Sequence, residues 1–553
     1  MNGTRREGKS SCARTASSAN SRDVSADQLL LRLEEYKRRF SAADAARLAG
    51  LLRSIERRRF STAASLIRLH ETLLFLRAYP ASAEILRLVE SILKRFSGRV
   101  AAIDDKAPLA APEVSGIAGS ELTAVFSRDV ARHLVRRHRE QVSLEWGAWE
   151  SPQRLGLILP DLLPLAADDM AVEAHVPYEE WLEAAGGLKW LVEKAGRFDE
   201  LEVPLSWDLG DSAATRTHMR LPVRRIFYHR EPLIPRRAVS LGSLAHDPPL
   251  ATRKLSPRQG QRMIDLARDT SAVRYRELHG FTYGDERHVY EVEAGRGVVF
   301  YVWGVPPERR LPLRSYHAAS IWKNGVPVGY FEALSLAERM EAGFNLYYTF
   351  REGETAWLYA RLLKMFHDML GVRCIWLDPY QTGHENEEAI ASGAFWFYRK
   401  LGFRSVDAGL RELTAREEAR IAADPARRTS PAMLRKLVRK PMVYEFPGAE
   451  PGAWDLFETR RIGLRAARAL RTRFGGDAAR MADSGRRAAG IAERDCTPHW
   501  AALLAILPGL AGWSSQEKQA LRQALRAKAA PEEVTHLRMV QNHARLRRAL
   551  LRL

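Results

Sequence analysis

The run Phe350-Arg351-Glu352-Gly353-Glu354-Thr355-Ala356-Trp357 combines residue types and spacing that could bind an anion. A stretch of strand formers, GFNLYYTF, leads into Gly353, and apolar residues then recur at 356, 359, 363, 366 and 370. A strand, a glycine turn and a helix in that order gather unbonded backbone N–H groups at the positive end of a helix dipole. Glu354, Thr355 and Ala356 supply the candidate N–H donors, with Arg351 beside them. Glu352 and Glu354 set negative charge next to the same point, which opposes a phosphate. A second stretch, ASGAFWFYRKLGF from Ala391 to Phe403, places a phenol, Tyr398, among three other aromatics. Ile390, Ala394, Phe397 and Leu401 recur at helical spacing. Gly402 gives a left-handed stop, and Arg399 and Lys400 sit in the last turn. The pattern predicts one helix over 386–403, followed by a strand at FRSV. Tyr398 is either a core aromatic beside Phe395, Trp396 and Phe397 or a reactive group.

Other reactive residue types carry less. Asp378 ends the strand-like CIWLD and reads as a strand terminator before Pro379. His317, His367 and His384 lack metal-ligand spacing, and no metal site is read from the sequence. Three cysteines, Cys12, Cys374 and Cys496, are too few and too scattered for a disulfide framework. Cys374, inside the apolar RCIWL, reads as a buried, inert thiol.

The chain has 553 residues and a formal net charge of +19. Positions 1–60 hold 14 Lys+Arg against 7 Asp+Glu, and positions 451–553 hold 19 against 9, so the excess sits mainly at the two ends. Cationic ends fit nucleic acid or an anionic membrane surface, or are simply solvated helices. No stretch reaches the roughly 18–20 uninterrupted apolar residues of a membrane span. The opening MNGTRREGKSSCARTASSANSRD has no apolar core behind its basic residues, which argues against a secretory signal. It reads as a disordered tail, and a cytoplasmic location is the expectation.

These groups must be positioned by the elements around them. Residues 25–100 predict a helical module and 101–250 a mixed α/β region of unassigned role. Within that region a helix is expected over 121–141, one or two more over 177–196 and a strand at VRRIFYHREPLI, before a proline-rich linker at 246–260. From 255 to 447 the order is a helix, a hairpin at Gly295–Gly297, a hairpin at Asn324–Gly325, a strand, the glycine turn and its helix. The strand VRCIWLDPY, the 386–403 helix, a helix near 412–422 and the strand KPMVYEF follow. Residues 451–553 predict a basic helical extension, with helices over 514–530 and 531–553.

That order, with Tyr398-Arg399-Lys400-Leu401-Gly402-Phe403 closing a helix and NGVPVGYF in a central hairpin, resembles the GNAT superfamily of N-acetyltransferases. The resemblance covers about a third of the chain. It implies an α+β fold, a mixed twisted sheet flanked by helices, between the helical N-terminal module and the helical C-terminal extension. It also implies an acyl-coenzyme A-dependent N-acyltransferase. The pyrophosphate of acetyl-CoA or another acyl-CoA would sit on Arg351, Gly353, Glu354, Thr355 and Ala356. Tyr398 would protonate the departing thiolate, and Glu332 or Glu341 would act as base toward an amine on a small molecule or a protein. The turn departs from the superfamily's usual glycine pattern, with Phe350 and Thr355 at two of its places. The alternatives are a GNAT fold using aminoacyl-tRNA as donor, and a degenerate GNAT serving as a partner-binding scaffold.

Overall fold

Alternating apolar residues between 289 and 346 form an unbroken antiparallel meander. The computed structural model describes residues 25–553; the tail expected at 1–24 lies outside the described residues. The architecture is mixed α+β. A small sheet of β1 (Glu121–Val125), β2 (Val142–Leu144) and β3 (Pro204–Asp208) has the order β1-β3-β2. A nine-stranded sheet contains β4 (Ala251–Lys254), β5 (Val289–Gly295), β6 (Val298–Gly304), β7 (Ser315–Lys323), β8 (Val326–Leu336), β9 (Arg339–Leu346), β10 (Cys374–Leu377), β11 (Arg404–Ser405) and β12 (Met442–Glu445). Its order is β11-β12-β10-β9-β8-β7-β6-β5-β4. Neighbours run antiparallel except β9 and β10, which are parallel.

Period-2 alternation divides the sheet faces. Phe331 and Phe344 lie on one face and pack on Tyr359 and Phe366 of the Thr355–Leu370 helix. Trp303 and Tyr330 lie on the other and pack on Phe281, beside the Pro257–Ala272 helix. The four helices Ala26–Tyr36, Ala42–Glu56, Ala63–Ala78 and Ala83–Lys94 share one hydrophobic core with the large sheet. The small sheet has a core of its own, and the C-terminal helices form another against β10 and β12. Asn324 and Gly325 both have positive φ, 49° and 79°, as the tight β7–β8 turn requires.

Several expectations are corrected. VRRIFYHREPLI is not a strand. Phe227 N–H donates to Asn324 Oδ1, His229 N–H to the Pro80 carbonyl and Ile234 N–H to Glu354 Oε1, so no ladder forms. The helix expected over 121–141 begins only at Arg128, because Glu121–Val125 pairs with β3. The linker at 246–260 contains the edge strand β4. The single helix over 386–403 is two short ones, Glu387–Ser392 and Ala394–Arg399, broken at Gly393 with φ 70°. The last helix is likewise divided at His543 into Glu533–Asn542 and Ala544–Leu551.

Among the described residues four buried histidines, His70, His229, His317 and His536, are held toward the neutral ring by burial. Burial pushes His70 and His317 down to about 4 and His536 to about 3, from an ordinary 6.5. Unfolding frees each to take a proton below pH 6.5, so each contribution is intact above that value and lost as pH falls toward the folded value. The expected loss is about 1.4 kcal/mol per pH unit for each histidine in that window. Urea unfolding at pH 7, 6 and 5 measures it. His317→Gln should flatten the dependence by one histidine's share.

Candidate active site

The parallel ladder between β9 and β10 is short. It pairs Arg339–Glu341 with Cys374–Trp376 and then ends. From Ala342 onward β9 stays paired to β8 alone, while β10 finishes at Leu377 and Asp378 caps a new turn through the Tyr380 N–H. The sheet is therefore split between β9 and β10, three strands from one edge. The chain leaves β9 through a short turn at Tyr348–Phe350 and enters the Thr355–Leu370 helix at this split.

That helix has no side-chain cap. The N–H groups of Thr355, Ala356 and Trp357 precede the first intrahelical bond, which Leu358 makes to the Glu354 carbonyl, and they stay unbonded among the described residues. Thr355 and Ala356 line an open groove of about 750 Å³ with Arg38, Arg39, Arg236, Arg351, Glu34, Glu35, Glu352 and Phe397. Its acids already have cations. Glu34 holds Arg68, Glu35 holds Arg39 at 2.6 Å, and Glu352 holds Lys37 at 2.7 Å. Arg236 reaches the Trp396 carbonyl at a long 3.4 Å. Arg351 reaches the Leu346 carbonyl at 3.2 Å and Glu388. The negative charge expected beside the turn is thus largely matched.

Two residues of the turn do something other than expected. The Glu354 carboxylate points inward and is fully buried. It pairs with Arg296 at 2.6 Å and Lys323 at 3.7 Å, and accepts the Ile234 N–H at 3.1 Å. Its own N–H faces the Tyr79 hydroxyl at 3.4 Å and is withdrawn from the groove. Gly353 is required by packing, since an added Cβ would stand 2.3 Å from the Tyr79 hydroxyl oxygen. Burial lowers Lys323 to about 7, with Glu354 opposing that shift.

Tyr398 is buried on the helix-covered face of the sheet, 5.6 Å from Tyr359 and 5.7 Å from Phe403 by ring centroids. Its hydroxyl has no hydrogen-bond partner among the described residues, and burial raises its pKa above the ordinary tyrosine value. The phenol is therefore protonated at neutral pH. Glu332 and Glu341 lie on the opposite face, as their pairing with Gly343 and Leu334 dictates. Glu332 accepts the Tyr316 hydroxyl, and Glu341 pairs with Arg314 at 3.0 Å. The structure thus gathers Arg351, Thr355 and Ala356 at one groove. Tyr398 and the two glutamates are set on either side of the split sheet. Cys374 is buried, its thiol pushed up to about 12, which leaves it inert.

Arg38, Arg39 and Arg236 were not legible as groove residues, because they reach it from elements distant in the chain. No protein-family model, curated protein or solved structure matches the chain.

Gly353→Ala should destabilise the fold by about 1–3 kcal/mol through overpacking against Tyr79. The cost should shrink in a Tyr79→Phe background, which thermal unfolding of the two single variants and the double variant reads directly. Glu354→Gln should cost about 3–5 kcal/mol, because Lys323 and Arg296 lose their buried counter-charge. Unfolding at neutral pH measures it.

Proposed function

We propose that the chain is an acyl-CoA-dependent N-acyltransferase of GNAT-like build, with the donor in the groove at the start of the Thr355–Leu370 helix. One observation carries this reading. An uncapped helix start, with three unbonded N–H groups and arginines around it, stands at the split between two parallel strands. The donor's pyrophosphate would take the N–H groups of Thr355 and Ala356, with Arg236 and Arg351 as counter-charges. Its thioester arm would then follow the split toward Tyr398.

The reaction is direct transfer. The neutral amine attacks the thioester carbonyl, a C–N bond forms and the C–S bond breaks. The departing thiolate takes the Tyr398 phenolic proton, and the amine's proton leaves toward Glu332, directly or through water. Glu332 suits that role better than Glu341, because its partner is a neutral hydroxyl and not a guanidinium. An acid on one face and a base on the other agree with donor and amine approaching the split from opposite sides.

A second reading, a degenerate GNAT-like scaffold, is favoured by a specific observation. Tyr79 presses on the glycine turn, and Glu354 is turned inward, so part of the phosphate turn serves as a joint. Calorimetry separates the two. The enzyme reading expects acetyl-CoA or a longer acyl-CoA to bind, with affinity reduced on the order of 10-fold or more by Arg236→Glu. Tyr398→Phe should lower kcat by about 10²–10⁴-fold with KM little changed. Absence of binding by any acyl-CoA leaves the scaffold reading.

A further inference from the structure

His133 and His138 lie five residues apart, where the Arg128–Arg137 helix ends. Both rings converge on Asp269 in the Pro257–Ala272 helix. Their Nε2 atoms stand 2.8 and 3.0 Å from the same oxygen, Oδ1. The three side chains are 8%, 9% and 1% exposed, and their three ligand atoms lie within 4.8 Å of one another. Two imidazole nitrogens and a carboxylate oxygen converging in a largely buried site are the donor set of a zinc-type centre. Ligand atoms about 2.0–2.1 Å from a tetrahedral ion stand roughly 3.3 Å apart, so the two Nε2–Oδ1 separations would widen by only a few tenths of an ångström around an ion.

The surroundings are of the kind that support metal ligation. His133 Nδ1 lies 3.8 Å from Asp265 Oδ1, too far for a hydrogen bond but in the place where metal-bound histidines keep a carboxylate. His138 is fixed by Trp207, its ring centroid 4.7 Å away. Arg137 donates to the other Asp269 oxygen, Oδ2, at 2.8 Å, which leaves Oδ1 to the histidines. His133, Arg137 and Asp265 border an open groove of about 570 Å³, from which an ion would enter past His133. Imidazole donors favour zinc-class ions over magnesium or calcium.

We propose that His133, His138 and Asp269 bind one divalent ion of the zinc class. The ion would tie two modules together. Val130, Ala131 and Leu134 of the first helix belong to the core of the small sheet, and Met263, Ile264 and Ala267 of the second belong to that of the large sheet.

The test uses the full-length protein without an affinity tag, stripped with chelator and titrated with Zn²⁺ by calorimetry and with Co²⁺ by visible absorption. One equivalent should bind, and Co²⁺ should give the intense bands of four-coordinate geometry. His133→Gln and His138→Gln should each weaken Zn²⁺ binding on the order of 100-fold or more, with far-UV circular dichroism unchanged. Arg137→Gln, which removes an opposing cation, should bind at least as tightly as wild type. Failure of the stripped protein to take up stoichiometric Zn²⁺ or Co²⁺ at about 100 µM would overturn the proposal. So would histidine variants that bind like wild type.

Discussion

The Glu354 carboxylate is the point on which this structure hangs. It sits without solvent contact between Arg296 of the β5–β6 turn and Lys323 at the end of β7, and it also receives the backbone of Ile234. Lys323 in turn donates to the Arg296 carbonyl at 2.8 Å and faces the rings of Tyr79 and Phe227. One buried anion therefore fixes two hairpin turns, the irregular 222–235 segment, the N-terminal module and the start of the helix that borders the groove. Burying charges is costly unless each is paired, so the cluster acts as a latch whose members depend on one another.

The latch explains why the groove has its present form. Because Glu354 is drawn inward, its N–H is turned to Tyr79 and the first free donors are those of Thr355, Ala356 and Trp357. The first free donors are thus shifted one residue along the helix from the place the glycine suggests. The N-terminal module then supplies Arg38 and Arg39 to the groove wall, while the 222–250 segment supplies Arg236. The part of the chain that precedes β4 completes the wall of a groove whose other lining comes from the large-sheet region.

Local patterning made much of the large sheet legible. The Asn324–Gly325 and Gly295–Gly297 turns, the 355–370 helix and the strands around 375 and 443 all follow from alternation, helical spacing and turn residues. VRRIFYHREPLI misled because apolar residues suggest a strand, whereas partners that satisfy its backbone come from Asn324, Glu354 and Pro80. Gly393 sat within a good helical pattern, and only its positive φ shows the break. In the candidate site, Thr355 and Ala356 were legible because a helix start is a local event. The inward turn of Glu354 and the pressure of Tyr79 on Gly353 were not. Both depend on partners remote in the chain, Lys323 and Arg296 in the hairpins and Tyr79 in the N-terminal module. The same is true of Asp269, which meets His133 and His138 from a different module altogether.

The central proposal is that the unbonded N–H groups of Thr355 and Ala356 receive the donor's pyrophosphate. Hydrogen–deuterium exchange of the full-length protein, with and without saturating acetyl-CoA, reads those amides directly. Rapid exchange at Thr355 and Ala356 is predicted in the free protein, with marked slowing by the ligand, while the exposed Ala408–Ala423 helix stays unchanged. Unaltered exchange at Thr355 and Ala356 under ligand saturation, or protection confined to another surface, would contradict it.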